Sequence, residues 1–98
     1  MTIKKAVNGT VLTVSPIGRL DTTTAPEHDA ELKSALGGIT ELILDFAELE
    51  YISSAGLRVL LSAQKVMNAQ GSMKVIHVND IIAEIFDVTG FCDILTIE

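Results

Sequence analysis

Two adjacent serines, Ser53 and Ser54, lie in the one segment whose residue types suggest chemistry. Ala55 and Gly56 follow them, and then an apolar pattern typical of a helix begins. The start of a helix carries free backbone N–H groups and the positive end of the helix dipole, so a phosphate group is favoured there. However, Ser is also a common N-cap, and Gly can simply allow tight packing. From the residues alone, the interpretation of Ser54 as a simple cap is favoured.

Catalytic and metal-binding residues are sparse elsewhere in the chain. A serine hydrolase needs a histidine near its serine and usually a Gly-x-Ser-x-Gly turn, and this turn is absent. His28 is predicted on a helix and exposed to solvent, and His77 on a strand with a structural role. Cys92, the single cysteine, is expected to be a small buried apolar residue. We therefore expect no enzyme activity, no metal site and no cofactor.

Composition and charge exclude several classes of partner. The net charge is −6 and the basic residues are scattered, which disfavours direct binding to nucleic acid. Apolar runs are far shorter than the ~20 residues that span a bilayer, so no membrane insertion is expected. The first eight residues lack the apolar region of a signal peptide. The expected location is the cytoplasm.

The serine pair lies within an alternation of predicted strands and helices. Five apolar runs are predicted as strands, in residues 3–7, 11–17, 42–44, 73–78 and 94–97. Asn8-Gly9 indicates a hairpin between the first two. A first helix is predicted from a Thr24 cap, with Glu27 three residues later, to a stop at Gly37-Gly38. The second helix spans residues 54–70, and the third runs from an Asn79 cap to Gly90.

The resulting order is ββαβαβαβ, which predicts an α/β fold. Alternating strands and helices indicate a mixed, mostly parallel sheet of about five strands behind the N-terminal hairpin. Residues 1–98 are predicted to form one domain. Asp45 follows a buried strand and has two interpretations. It is either a polar site residue or a loop carboxylate that accepts hydrogen bonds from nearby backbone N–H groups.

Three segments carry a resemblance to a known family. Residues 51–61 (YISSAGLRVLL) resemble the signature of the STAS domains of bacterial anti-sigma factor antagonists. Residues 42–46 (LILDF) resemble the strand that leads to this signature in the family. Residues 18–25 (GRLDTTTA) resemble the family's other loop, which precedes the first helix. The resemblance extends from about residue 3 to the end of the chain and keeps the order of elements.

The resemblance implies a phosphorylation switch. In that family the unmodified domain binds an anti-sigma factor that is itself a serine kinase, and this binding frees the sigma factor. The kinase then phosphorylates a serine that corresponds to Ser54, and a phosphatase of the PP2C type resets the switch. The acidic residue of the first loop corresponds to Asp21. Ser53 stands where many members have aspartate, which leaves it as a rival phosphoacceptor.

The partner-binding surface implied by the resemblance takes in both loops. It consists of Asp21, Thr22, Thr23, Ser53, Ser54, Ala55, Gly56, Leu57 and Arg58. Without the resemblance, the residues of the first loop are turn and cap residues. An alternative function is a stand-alone STAS subunit of a transporter or a signalling complex. There the same loop would dock without a cycle of phosphorylation.

Overall fold

The computed structural model describes residues 2–98 and confirms the predicted α/β fold with a mixed sheet. Met1, the first residue of the predicted domain, lies outside the described residues. The six strands are β1 (Thr2–Asn8), β2 (Val11–Leu20), β3 (Glu41–Asp45), β4 (Leu49–Ile52), β5 (Ser72–Ile76) and β6 (Thr96–Ile97). The helices are α1 (Ala25–Ala35), α2 (Ser54–Gln70), α3 (Asp80–Thr89) and a 3₁₀ turn (Phe91–Asp93).

The sheet is parallel except for its N-terminal hairpin. Its strand order is β1-β2-β3-β5-β6, and β1 pairs antiparallel with β2 in the predicted hairpin. The other pairs are parallel, as predicted. Strand β4 lies off this path and pairs with the end of β2. The carboxyl ends of β2 and β4 therefore lie side by side.

Strand β4 was absent from the sequence prediction, so the element order becomes ββαββαβαβ. It has four residues, of which Glu50 is exposed. Such a short segment is stabilised as a strand by its pairing with β2. The local residue pattern does not indicate this pairing. Strand β2 also extends to Leu20, through part of the predicted turn, because β4 supplies its partner.

The length of α2 and both ends of α3 follow the predicted signals, whereas the start of α1 is an exception. Helix α2 spans residues 54–70 as predicted. At α3 the Asn79 side chain accepts a 2.9 Å hydrogen bond from the Ile82 N–H, and Gly90 ends the helix with a φ of 79°. The exception is α1, where the Thr24 side chain makes no cap hydrogen bond with the helix. The predicted capping box of Thr24 and Glu27 is therefore wrong.

The apolar spacing of the first two predicted helices places one group of residues inward, and most of them are buried in the core: Ala25, Leu32, Leu36, Leu57, Leu60, Ala63 and Met67. Ala35 and Leu61, predicted inward by the same spacing, are only half-buried. Two other predictions are wrong. His28 is fully buried rather than exposed, because it lies three residues after Ala25 and four before Leu32 on the inward face of α1. Cys92 is exposed rather than buried, because it falls in the 3₁₀ turn at the surface.

No helix within residues 2–98 is long and apolar enough to cross a membrane.

Candidate functional site

The two loops that carry the candidate residues meet at one edge of the sheet. Leu20 and Ile52 are paired residues at the ends of the parallel strands β2 and β4. The Ser53 N–H donates a 2.9 Å hydrogen bond to the Leu20 carbonyl oxygen. Asp21 and Ser53 each follow one of these paired residues. Because paired strands lie about 4.8 Å apart, the two loops leave the sheet next to each other.

The two serines have different structural roles. Ser53 is the N-cap of α2, and its half-buried hydroxyl accepts a 3.4 Å hydrogen bond from the Gly56 N–H. Ser54 is the first residue of the helix, and it is exposed. Ser53 therefore caps the helix, and the interpretation of Ser54 as the cap is wrong. The hydroxyl of Ser54 is left open to solvent at the positive end of the helix dipole.

Gly56 allows the first turn of α2 to lie directly against the strand ends. A Cβ atom on Gly56 would lie 2.6 Å from Ile52 Cγ1 and 2.8 Å from the Leu20 carbonyl oxygen. Both distances are shorter than ordinary van der Waals contact. Gly56 and Leu57 are buried, whereas Arg58 is exposed. Gly56 and Leu57 thus hold the start of the helix in place beneath the candidate surface.

Asp21 organises the loop between β2 and α1. Its Oδ1 atom accepts hydrogen bonds from the N–H groups of Thr23, at 3.0 Å, and Thr24, at 3.2 Å. The Thr24 hydroxyl in turn accepts from the Asp21 N–H and donates to the Arg19 carbonyl oxygen. The backbone N–H of Thr24, followed by that of Thr23, holds the pKa of Asp21 below its ordinary value. Asp21 is therefore ionised at neutral pH, and its hydrogen bonds hold the loop that precedes α1 rather than the helix N–H groups.

One cation lies over this edge of the sheet. The Arg19 guanidinium stacks on the Tyr51 ring, 4.7 Å from its centroid, and its Nε atom lies 3.7 Å from Asp21 Oδ2. Arg19 is on β2 and Tyr51 is its paired residue on β4. The arginine side chain is largely exposed, which keeps the ion pair weak.

A groove of about 350 Å³ runs between α1 and α2 next to the exposed serine. It joins the first loop to the second helix through Thr22, Ala55 and Arg58. The remaining lining residues are Ala25, Pro26, Asp29, Lys33, Val59 and Ser62. The other predicted partner-binding residues lie outside the groove. Thr23 and Ser54 are exposed, Asp21 and Ser53 are half-buried, and Gly56 and Leu57 are buried.

Asp45 lies at the end of the neighbouring strand β3. Its Oδ1 atom accepts a 3.0 Å hydrogen bond from the Ala47 N–H and lies 2.8 Å from His77 Nδ1. Partial burial alone would raise its pKa, but the hydrogen bonds from His77 and Ala47 hold the pKa of Asp45 below its usual value. This geometry matches the loop-carboxylate interpretation. His77 is not on a strand as predicted, because β5 ends at Ile76 and His77 has a φ of 58°.

Within residues 2–98, no three His, Cys, Asp or Glu side chains are grouped closely enough to hold a metal ion.

Comparison with known proteins identifies the fold. The family model of the STAS domain matches residues 2–98. The chain belongs to the STAS domain family. This membership confirms the resemblance to the STAS family.

Several relatives of this STAS chain have been described. BtrV of Bordetella bronchiseptica, a candidate anti-sigma factor antagonist, is 34% identical over 82 residues, covering 82% of this chain and 71% of the relative. An anti-sigma factor antagonist from Mycobacterium paratuberculosis is 20% identical with a TM-score of 0.89, covering 98% of this chain and 83% of that one. The phosphorylated form of the Bacillus cell fate determinant SpoIIAA is 18% identical with a TM-score of 0.76, covering 99% and 91%.

Proposed function

We propose that this STAS chain is an anti-sigma factor antagonist that is switched off by phosphorylation of Ser54. In the unmodified state it binds an anti-sigma factor serine kinase, and this releases the sigma factor held by that kinase. The observation that carries the proposal is the exposed Ser54 at the start of α2, next to the loop of Asp21. The chain acts as a binding protein and substrate rather than as an enzyme. Because the kinase draws on ATP, the proposal implies an encounter in the cytoplasm.

The different environments of the two serines favour Ser54 as the phosphoacceptor. A kinase must reach the hydroxyl oxygen with the terminal phosphate of ATP. The Ser53 hydroxyl is half-buried and accepts the cap hydrogen bond from Gly56. Ser54 is exposed and has no role in capping the helix. Phosphorylation of Ser53 would also remove the cap of α2.

The charge of the added phosphate explains how binding would be lost while the fold is kept. A phosphoserine carries about −1.5 to −2 charges, and a helix N-terminus stabilises a negative group by about 0.3–1 kcal/mol. In a complex, the same group would be desolvated and would face the ionised Asp21. Each ~1.4 kcal/mol lost there weakens binding about tenfold.

The kinase-binding surface proposed here extends from the helix start into the groove between α1 and α2. Exposed Thr22, Thr23 and Arg58, together with Ala55, offer polar and small apolar contacts around Ser54. A phosphatase of the PP2C type would restore the unmodified state by hydrolysing the phosphoserine. The same exposure that admits the kinase would admit the phosphatase.

Incubation with the anti-sigma factor kinase of the same genome and Mg-ATP, followed by mass spectrometry, tests the proposal. One phosphate is expected on residue 54 of the wild type and of Ser53→Ala, and none on Ser54→Ala. The variant Ser54→Asp should bind the kinase at least about tenfold more weakly than the wild type. A kinase that binds tightly but leaves Ser54 unmodified would favour the docking subunit without a phosphorylation cycle. Equal binding by Ser54→Asp would overturn the switch.

A further inference from the structure

Helix α3 carries an apolar stripe whose two end residues are left exposed by the rest of residues 2–98. Ile81 and Val88 are 59% and 79% exposed, and the half-buried Ile85 lies between them. Spacings of four and three residues place all three on one face of the helix. An open groove of about 360 Å³ follows this stripe, and its lining residues define the α3 surface: Ile81, Glu84, Ile85, Val88 and Thr89.

Ile82 and Phe86 pack helix α3 against the core, and both are fully buried. Of the stripe, only Ile85 also packs against the core, at its edge, whereas Ile81 and Val88 remain exposed. Single exposed apolar residues are normal on a protein surface, but a continuous apolar stripe beside a groove is typical of an interaction site. Ile81 and Val88 thus offer exposed apolar surface that the core packing of α3 does not use.

An acidic stripe runs parallel to the apolar one. Asp80, Glu84 and Asp87 repeat the same spacing, one residue earlier along the helix. None of the three forms an ion pair with another of the residues that the structure describes. Residues 75–98 contain five Asp or Glu and no Lys or Arg, so they hold −5 of the net charge of −6. Three of these five acids, Asp80, Glu84 and Asp87, lie on α3 itself, whereas Glu98 pairs with Lys74 of β5.

We propose that the α3 surface binds an amphipathic helix of a partner protein, one that carries an apolar stripe beside a row of Lys and Arg. The apolar stripe of the partner would fill the groove, and its basic row would lie along Asp80, Glu84 and Asp87. Matching charges of opposite sign steer association and fix the register of such a helix pair.

The same charges exclude two other occupants of this surface. A second copy of the chain, docked stripe to stripe, would bring two uncompensated acidic rows together, which costs binding energy. An anionic lipid surface or a nucleic acid would be repelled. The α3 surface shares no residue with the loops around Ser54, so this interaction goes beyond the proposed kinase switch and does not depend on it.

Titration of the isotope-labelled chain with a synthetic peptide, followed by NMR, tests the proposal. The probe is a helical peptide with Leu at positions spaced by four and three residues and Lys on the adjoining stripe. The matched control peptide has Glu in place of each Lys. We expect shift changes confined to α3 and the 3₁₀ turn, with an affinity at least about tenfold higher for the basic peptide. The affinity should fall as salt is raised, because the charged row is exposed.

Variants of exposed residues decide whether the α3 surface is the site. Ile81→Ser combined with Val88→Ser should weaken binding of the basic peptide at least about tenfold. The matched control is Val7→Ser on β1, where Val7 is 65% exposed, and it should bind like the wild type. Equal binding of the acidic peptide, or full binding by the double variant, would overturn the proposal. Self-association of the wild-type chain that is abolished by Val88→Ser would also overturn it, because the α3 surface would then bind a second copy of the chain.

Discussion

The backbone N–H of Ser53 lies 2.9 Å from the carbonyl oxygen of Leu20 and donates a hydrogen bond to it. This bond joins the ends of β4 and β2 and fixes the distance between the two loops of the candidate site. The same carbonyl oxygen also limits how much space the first turn of α2 has at Gly56. The position of Ser54 therefore depends on a contact made entirely by the backbone.

Replacing Gly56 with alanine should destabilise the fold and displace the start of α2. The new Cβ would lie 2.6 Å from Ile52 Cγ1 and 2.8 Å from the Leu20 carbonyl oxygen, and the backbone oxygen cannot turn away. Overpacking of this kind lowers the free energy of unfolding by about 1–3 kcal/mol. Urea denaturation of the wild type and the variant measures the change.

Gly37→Ala is the matched control for this substitution. A Cβ on Gly37 would have no heavy atom within 4 Å, so the variant should be as stable as the wild type or slightly more stable. If Gly56→Ala and Gly37→Ala had the same free energy of unfolding, the close approach at Gly56 would be contradicted.

Replacing Ser53 should lower the stability of the fold, whereas replacing Ser54 should leave the stability nearly unchanged. Ser53→Ala removes the acceptor for the Gly56 N–H and should lower the free energy of unfolding by about 1 kcal/mol. Ser54→Ala changes an exposed first residue of the helix and should stay within about 0.5 kcal/mol of the wild type. Thermal unfolding of both variants at one pH makes the comparison. Equal losses would show that Ser53 is not the effective cap.

Local sequence signals predicted the helix that carries the site. Each of these signals acts within a few residues, so it can be recognised in the sequence. They are the apolar spacing of α2, the glycine that follows α2, and the Asn79 cap of α3. Strand β4 forms only by pairing with β2, across about 30 residues of chain. The burial of His28 could have been found from its spacing to Ala25 and Leu32, which places it on their face.

Two features of this region could not be predicted from local sequence patterns. The contact of Asp45 with His77 arises because β3 and β5 are neighbours with Asp45 paired to Ile76, and no local pattern indicates this pairing. The prediction that Asp21 belongs to the partner-binding surface came from the resemblance to the STAS family, since an aspartate in a turn is common. Its hydrogen bonds to the N–H groups of Thr23 and Thr24 supply the physical reason for an acidic residue there.

The proposed switch predicts that Asp21 and phosphorylated Ser54 are coupled. Asp21→Asn keeps an oxygen that accepts from the Thr23 and Thr24 N–H groups while it removes the negative charge. In the background of Ser54→Asp, this change should restore part of the lost affinity for the kinase. Calorimetric titration of the two single variants and the double variant gives the coupling energy. Asp45→Asn, a carboxylate of the neighbouring strand, is the control and should restore less.

His28 should make the fold sensitive to mild acid. Burial lowers the pKa of His28 from 6.5 to about 4, and the nearby Asp29 opposes this only in part. Between these two pH values the unfolded chain binds a proton that the folded chain does not bind. The free energy of unfolding therefore falls as the pH drops from about 6.5 to 4, by about 3 kcal/mol in total from this group.

His28→Leu should remove this part of the pH dependence. Neither ring nitrogen of the buried His28 has a hydrogen-bond partner among residues 2–98, so at pH 7 the variant should be at least as stable as the wild type. His28→Gln is the control, because it cannot be protonated in this range but keeps a buried polar group. It should lose the same slope while remaining less stable than His28→Leu. Urea denaturation at several pH values between 4 and 7 measures both effects, and parallel curves for the wild type and His28→Leu would contradict the assignment.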